Sequence, residues 1–386
     1  MNIQKELMDW AEETVNVYNS IGKTLKMGYY TQTPLSLVSQ SPDLLILGIN
    51  PGAEGGNNMM NEEELLKGNP CFENKDKKNI LSDKEYVIYV MKEKKDKDKN
   101  INGWALWHRL NNMLEKSSRN KELLQDFNNF VLSNMIFFGT AKENLIPKID
   151  KDKCAERTLK LIDVLKPKVV LLLGNQCRDL FNKMSNTPKL EEIVPQSISY
   201  CYYKEKYHIL SIKHTAYRYS SYEMKIIGNT ISYAIDNSST RIDKNKLYQF
   251  ICKEANGRAW YLKALISDNG SKQNIYNEKT VYHEFYTKPK EGISSNDRIV
   301  IDLTPEEDRK QYVVLVFTRQ NNEEKTKDLI KGIWPNEEFN PWECNKSRHV
   351  HEVISFEESN EEIKNIMEKV LQEVKAYRDQ EYYLKQ

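Results

Sequence analysis

The chain has 386 residues, 39% hydrophobic and 29% charged, which is long enough for two buried cores under a very polar surface. Its 57 basic side chains nearly cancel 56 acidic ones, so a globally basic nucleic-acid binder is excluded and any such surface must come from local clustering. Six widely spaced cysteines without a Cys-x-x-Cys pair argue against an iron–sulfur cluster, a zinc ribbon or a disulfide framework, and the lack of a long apolar run or apolar signal core points to a cytoplasmic protein without membrane contact.

Leu7, Trp10, Ala11, Val15 and Tyr18 recur at helical spacing and predict an amphipathic first helix over residues 1–20. After a loop through Gly28 and Pro34, residues 44–47 are a short apolar run suited to one buried parallel strand, broken at once by Gly48, Asn50, Pro51 and Gly52. Residues 61–66 read as a helical start, 68–72 as a loop, and the run MKEKKDKDKN at 91–100 as a solvated insertion. Helical spacing returns over 104–114. The run FVLSNMIFF at 130–138 predicts a second buried strand ending at Gly139 and Thr140. A helix at 154–165 stops at Pro167, and a third strand at 168–173 closes on Gly174 and Asn175. A helix at 177–184, a fourth strand at 208–212 and a helix at 222–235 complete the series. This alternation predicts a three-layer α/β/α domain over residues 1–238 with a mostly parallel four-stranded sheet. Residues 239–386 predict a smaller α+β domain: a helix at 244–253, strands at 259–266, 281–286, 299–303 and 312–317, and a closing helix at 361–377.

Open α/β sheets bind ligands at the carboxyl ends of their strands. Asn50, after the first strand, and His214, after the fourth, are polar residues at that edge. The plain alternative for Asn50 is a local turn hydrogen bond. Gly48-Ile49-Asn50-Pro51-Gly52 resembles the water-activating motif of the uracil-DNA glycosylase superfamily, in its mismatch-specific and single-strand-selective branches. His214-Thr215-Ala216-Tyr217-Arg218-Tyr219-Ser220 is similar to that family's second motif, and residues 166–175 to its third-strand segment, so the resemblance spans about residues 40–235. It implies a uracil-DNA glycosylase-like fold and a monofunctional DNA glycosylase, since no Lys occupies a nucleophile position, in a setting such as genome defence. Asn50 and His214 are then catalytic. Gly48, Ile49, Pro51, Gly52, Phe72, Gly139, Thr140 and Asn144 line the base pocket. Thr215, Tyr217, Arg218, Tyr219, Ser220, Gly174 and Asn175 contact DNA, with no cofactor and no metal.

The chemistry asks for such residues. Cleaving an N-glycosidic bond passes through a sugar cation, which needs a water held on one face and charge relief for the departing base on the other. Asn50 and neighbouring carbonyls suit the first task, and an imidazole donating a hydrogen bond suits the second. Glu54 is a reserve water-holder, although an acid at a helix start complements the dipole equally well. Tyr217, Arg218 and Tyr219 suit filling the stack vacated by an extruded base, or simple packing at the domain edge.

The family reads uracil with an Asn at the end of its second strand, where this sequence is expected to carry Gly139 and Thr140. A base other than plain uracil, a larger modified pyrimidine, is therefore the expected substrate. The other reading is an inactive nucleic-acid- or nucleotide-binding sensor of the same fold. A dinucleotide loop is disfavoured because the glycine order is wrong and Pro51 interrupts the turn. His349 and His351 share one side of any strand and, with Cys344, form an incomplete metal set. His108 reads as a hydrogen-bonded core or edge residue. The accessory domain carries no chemical motif; dimerisation, a grip on DNA and recognition of a protein partner are the roles open to it, and Trp260, Trp334 and Trp342 suit core and interface alike.

Overall fold

The computed structural model describes residues 3–25, 38–50, 105–117, 123–125, 128–139, 145–186, 189–217, 219–266, 271–286 and 298–382, with single positions at 29, 31, 33 and 35. The chain divides into two compact units, Met1–Phe250 and Ile251–Gln386, where the sequence reading places the boundary at 238.

In the first unit α1 (Ile3–Leu25) precedes β1 (Leu44–Gly48), α2 (Ala105–Glu115) and β2 (Phe130–Asn134). Then follow α3 (Lys148–Leu165), β3 (Val169–Leu173), α4 (Asn175–Met184), β4 (Glu191–Val194), β5 (Ile198–Tyr203), β6 (Tyr207–Ile212) and α5 (Ser221–Asp236). The sheet order is β2-β1-β3-β6-β5-β4, six strands rather than the expected four. Its first four strands are mutually parallel, and β5 and β4 continue it as antiparallel partners. The extra strands form a meander onto β6. Lys204 and Glu205 in the β5–β6 turn both have positive φ, near 51° and 52°, which suits the twist of a tight hairpin. The run Ile198–Tyr203 hides from pattern reading because five of its six residues are buried and no alternation survives.

Parallel strands buried on both faces lose alternation too, and β1, β2 and β3 are buried at every position. Leu45, Leu47, Val170 and Leu172 point into a core shared with α1, α3 and α4. Their alternates Leu44, Ile46, Val169 and Leu171 are equally buried outside that cluster, and α2 and α5 pack on each other, α5 also against β3. Helix α1 buries Leu7, Trp10, Ala11, Thr14, Tyr18 and Ile21 at helical spacing. It is tied to α3 through buried Arg157, which donates to Thr14 Oγ1 at 3.1 Å and Glu13 Oε2 at 2.8 Å while its own carbonyl accepts from Trp10 Nε1 at 2.9 Å. Helix α3 ends at Lys166 in the left-handed region, just before Pro167.

Strand β2 stops at Asn134 and not at residue 138. The apolar run continues because Phe137 and Phe138 fold under α1, where both ring centroids lie 5.0 Å from that of Tyr18. Burial, not strand pairing, sets the length of that run.

Helix α6 (Lys244–Cys252) crosses the division. The second unit contains α7 (Ala255–Leu265), β7 (Lys272–Tyr276), β8 (Thr280–Tyr286), β9 (Arg298–Glu306), β10 (Gln311–Thr318), α8 (Glu323–Ile333), β11 (Pro341–Trp342), β12 (Asn345–Ser355) and α9 (Asn360–Tyr382). Its sheet is antiparallel throughout, in the order β11-β12-β10-β9-β8-β7. Residues 259–266, read from sequence as a strand, belong to helix α7 and its C-cap, with Ala259, Trp260 and Leu262 buried. Their run has no β-branched residue before Ile266, which favours a helix. Trp260 is core, at 3% exposure. Trp342 is half-buried and donates from Nε1 to Glu306 Oε1 at 2.8 Å.

Buried charge marks this second sheet. Asp302 accepts from Arg348 Nη1 at 3.1 Å, and no hydrogen-bond partner of its Oδ1 is found among the described residues. Burial pushes the Asp302 carboxyl up to about 7, only partly offset by the Arg348 guanidinium. Glu284 is held by Arg298 at 3.0 Å and Arg319 at 2.9 Å. No helix among the described residues is long and apolar enough to cross a membrane.

Candidate functional site

Because β1, β2, β3 and β6 run parallel, their carboxyl ends share one edge. Gly48 pairs with Asn134, Leu47 with Leu172, and Leu173 with Ile212. Asn50 follows β1 by two residues and His214 follows β6 by two, with β3 between their strands, so the strands that carry them are roughly 10 Å apart. Both residues therefore belong to the same edge. Asn50 is half-buried and His214 exposed.

Gly48 and Gly174 are where the backbone needs to lack a side chain. A Cβ on Gly48 would stand 2.6 Å from Asn134 Oδ1, so the Asn134 amide occupies that space. Gly174 has φ +89°, and a Cβ there would meet His214 Cβ at 3.3 Å. Its N–H donates to the Ile212 carbonyl at 2.8 Å, fastening the β3–α4 turn to the strand that delivers His214. Ile49 packs against the core, and its carbonyl accepts from Ile136 N–H at 3.0 Å.

Asn134 is the residue that sequence reading missed, and it corrects the expectation that Gly139 and Thr140 end the second strand. It is 3% exposed, at the carboxyl terminus of β2, level with Gly48. A signal was present: Ser133 and Asn134 are the only polar pair inside the apolar run, and a polar pair there marks a strand end better than the run's own limit. Gly139 is buried five residues further on. Pro51, Gly52, Glu54, Phe72, Thr140, Asn144 and Arg218, the segments at 61–72 and 91–100, and the side chain of His108 lie outside the described residues.

The turn that carries His214 is held from within. Ala216 N–H donates to His214 Nδ1 at 3.1 Å, and Tyr217 N–H to the His214 carbonyl at 2.8 Å. A ring nitrogen that accepts a backbone N–H carries no proton, so neutral His214 keeps its proton on Nε2. Although the residue is exposed, partial desolvation of the ring by its surroundings, then the charge of Arg109, holds this imidazole below its ordinary value. Tyr219 hydroxyl donates to the Lys213 carbonyl at 2.7 Å, and the Lys213 ammonium lies 4.4 Å from the Tyr217 ring centroid. Tyr217 is 45% exposed and packs edge-on to Tyr219. Thr215 is buried, and Asn175 is the exposed first residue of α4. Ser220 is the N-cap of α5: its hydroxyl accepts from Glu223 N–H at 3.3 Å, and Glu223 Oε2 accepts from Ser220 N–H at 2.7 Å. This capping box engages the hydroxyl expected to contact DNA.

In the second unit, His349 and His351 do share a side of β12, but the group they meet is Glu337 and not Cys344. Glu337 Oε1 lies 2.7 Å from His349 Nε2 and 3.0 Å from His351 Nδ1. Asn340 N–H donates to His349 Nδ1 at 3.0 Å, so neutral His349 carries its proton on Nε2 and donates it to Glu337. A metal on that nitrogen would require the opposite tautomer. The cluster is a carboxylate bridging two imidazoles, with Trp334 stacked 4.0 Å from the His351 ring centroid.

The first unit is thus an α/β unit built on a mostly parallel sheet, with an amide at the end of β2 and an imidazole after β6 at one edge. No protein-family model and no curated protein matches this chain.

Proposed function

We propose that the first unit is a monofunctional DNA glycosylase that hydrolyses the N-glycosidic bond of a pyrimidine swung out of the stack, with residues 251–386 as an accessory unit. The observation that carries this reading is the state of His214. Its Nδ1 is occupied by Ala216 N–H, which leaves an Nε2–H to donate at the edge it shares with Asn50 and Asn134. A neutral imidazole in that tautomer donates its Nε2–H to negative charge growing on a departing base without first gaining a proton. Asn50 and the adjoining carbonyls hold the water that attacks the sugar cation. Extrusion of the base is supported by Tyr217, exposed on a turn braced by Lys213 and Tyr219.

Asn134 changes the substrate expectation. An amide offers a donor beside an acceptor, which pairs with a base edge presenting an acceptor beside an N–H, as uracil and 5-substituted uracils do. The expectation of a base other than plain uracil rests on the lack of an amide at the end of the second strand, and Asn134 at that position supports a uracil-type base instead. The test is single-turnover incubation of the purified chain with DNA containing uracil, 5-substituted uracils or modified cytosines, followed by alkaline cleavage at abasic sites. Base release from uracil-type bases is expected. Binding without strand cleavage for every base tested would establish the sensor reading instead.

A further inference from the structure

Helix α2 reaches the His214 turn from outside the parallel sheet. Arg109 Nη1 donates to the Thr215 carbonyl at 3.2 Å, across 106 residues of sequence. The helix that presents it is firmly seated: α2 packs on α5 so closely that a Cβ on Gly228 would stand 2.1 Å from the Met113 carbonyl oxygen. Lys116 Nζ also donates to Ser221 Oγ at 2.6 Å, beside the cap of α5. The turn is therefore held at both ends, by Gly174 on the sheet side and by Arg109 on the helix side.

We propose that Arg109 is a positioning residue for the reaction assigned to this edge: its guanidinium clamps the Thr215–Ala216 peptide, whose N–H holds His214 Nδ1, and presents a fixed positive charge to that imidazole. The proposal rests on the glycosylase reading for its purpose, but the contact itself does not. With its carbonyl on Arg109 and its N–H on His214 Nδ1, that peptide links the guanidinium to the orientation of the ring. The charge opposes protonation of the ring, in the same direction as its partial desolvation. Among the described residues, the charged groups on the elements around this turn are committed elsewhere. The Lys213 ammonium sits over the Tyr217 ring, Glu223 is bound into the Ser220 cap, and the β3–α4 turn offers only Gly174 and Asn175. An arginine suits this post because it keeps its charge at every working pH while its planar fork makes a directed hydrogen bond.

The test is a side-chain NMR titration of the histidines in the full chain, with His214 assigned by its loss in His214→Gln. Arg109→Gln should move the His214 midpoint up toward the ordinary value of about 6.5, and Arg109→Lys should bring most of the shift back. In the wild-type protein, raising salt from about 0.1 M to about 1 M should move the midpoint in the same upward direction by screening. The acid limb of the base-release profile should move upward with it in Arg109→Gln. A folded Arg109→Gln protein whose His214 midpoint is unchanged overturns the proposal, as does a salt-insensitive midpoint should that variant fail to fold. A midpoint that moves in a protein releasing no base from any DNA rejects the glycosylase reading and leaves the role of Arg109 toward His214 standing.

Discussion

Gly48 and Asn134 are register partners on adjacent parallel strands, and the side chain of the second fills the space that the first leaves empty. Gly48→Ala must therefore displace the Asn134 amide. We expect a stability loss of about 1–3 kcal/mol, as for other overpacked buried sites, and a larger fall in base release than in DNA affinity. Asn134→Ala should spare the fold and weaken discrimination between pyrimidines. Thermal melts and single-turnover rates on matched oligonucleotides check both; a Gly48→Ala protein of native stability and activity would show that Asn134 is not held as described.

Asn50→Ala and His214→Ala should each lower base release on the order of 100- to 10,000-fold while leaving the melting temperature within a few degrees, because the first is half-buried and the second exposed at the end of the sheet. Circular dichroism together with rates measured at saturating enzyme separates lost chemistry from lost structure. Full activity in both variants would remove the catalytic assignment.

Stability should depend on pH with opposed contributions in the second unit. Asp302 titrates at about 7 when folded against an ordinary 3.8, so the native state binds more protons than the unfolded chain across that window. Its contribution is therefore greatest below about 4 and is lost as pH rises toward 7, by up to about 1.4 kcal/mol per pH unit. His349 is held below its ordinary value by burial, so stability is instead lost as pH falls below about 6.5. Chemical denaturation of Asp302→Asn and wild-type proteins from pH 4 to 7 should show the difference between them shifting in the variant's favour with each step upward. A constant difference would mean that Asp302 is ionised throughout.

Glu337 accepts a hydrogen bond from each of two imidazoles, one of them fully buried. Glu337→Ala leaves His349 Nε2–H without an acceptor and should cost about 1–3 kcal/mol. Because that nitrogen already carries its proton, added zinc should leave the wild-type melting temperature unchanged at neutral pH. A zinc-dependent rise that disappears in His351→Ala would show that the cluster exchanges its protons for a metal.

Much of the fold was legible in local pattern. Short apolar runs marked β1, β3 and β6, the first two punctuated by Gly and Asn, and 3.6-residue spacing marked α1, α2 and α3. The alternation of strand and helix made the strands parallel, and from that alone Asn50 and His214 had to share an edge. The run at 259–266 misled because a short, nearly continuous apolar stretch fits a helix and a strand alike, and Ile198–Tyr203 was silent because five of its six residues are buried and no alternation survives.

Sequence by itself determined which residues had to be buried and where the chain had to turn, because hydrophobic spacing, glycine and proline act within a few residues of themselves. Tertiary structure decided that β2 stops pairing at the polar pair Ser133 and Asn134 and not at the end of its apolar run, and so that Asn134 and not Gly139 stands beside Gly48. It alone brought Arg109 onto the carbonyl of Thr215. Those contacts join residues that lie 86 and 106 positions apart, 48 to 134 and 109 to 215, and they are set by how strands and helices seat on one another, which leaves no periodic trace along the chain.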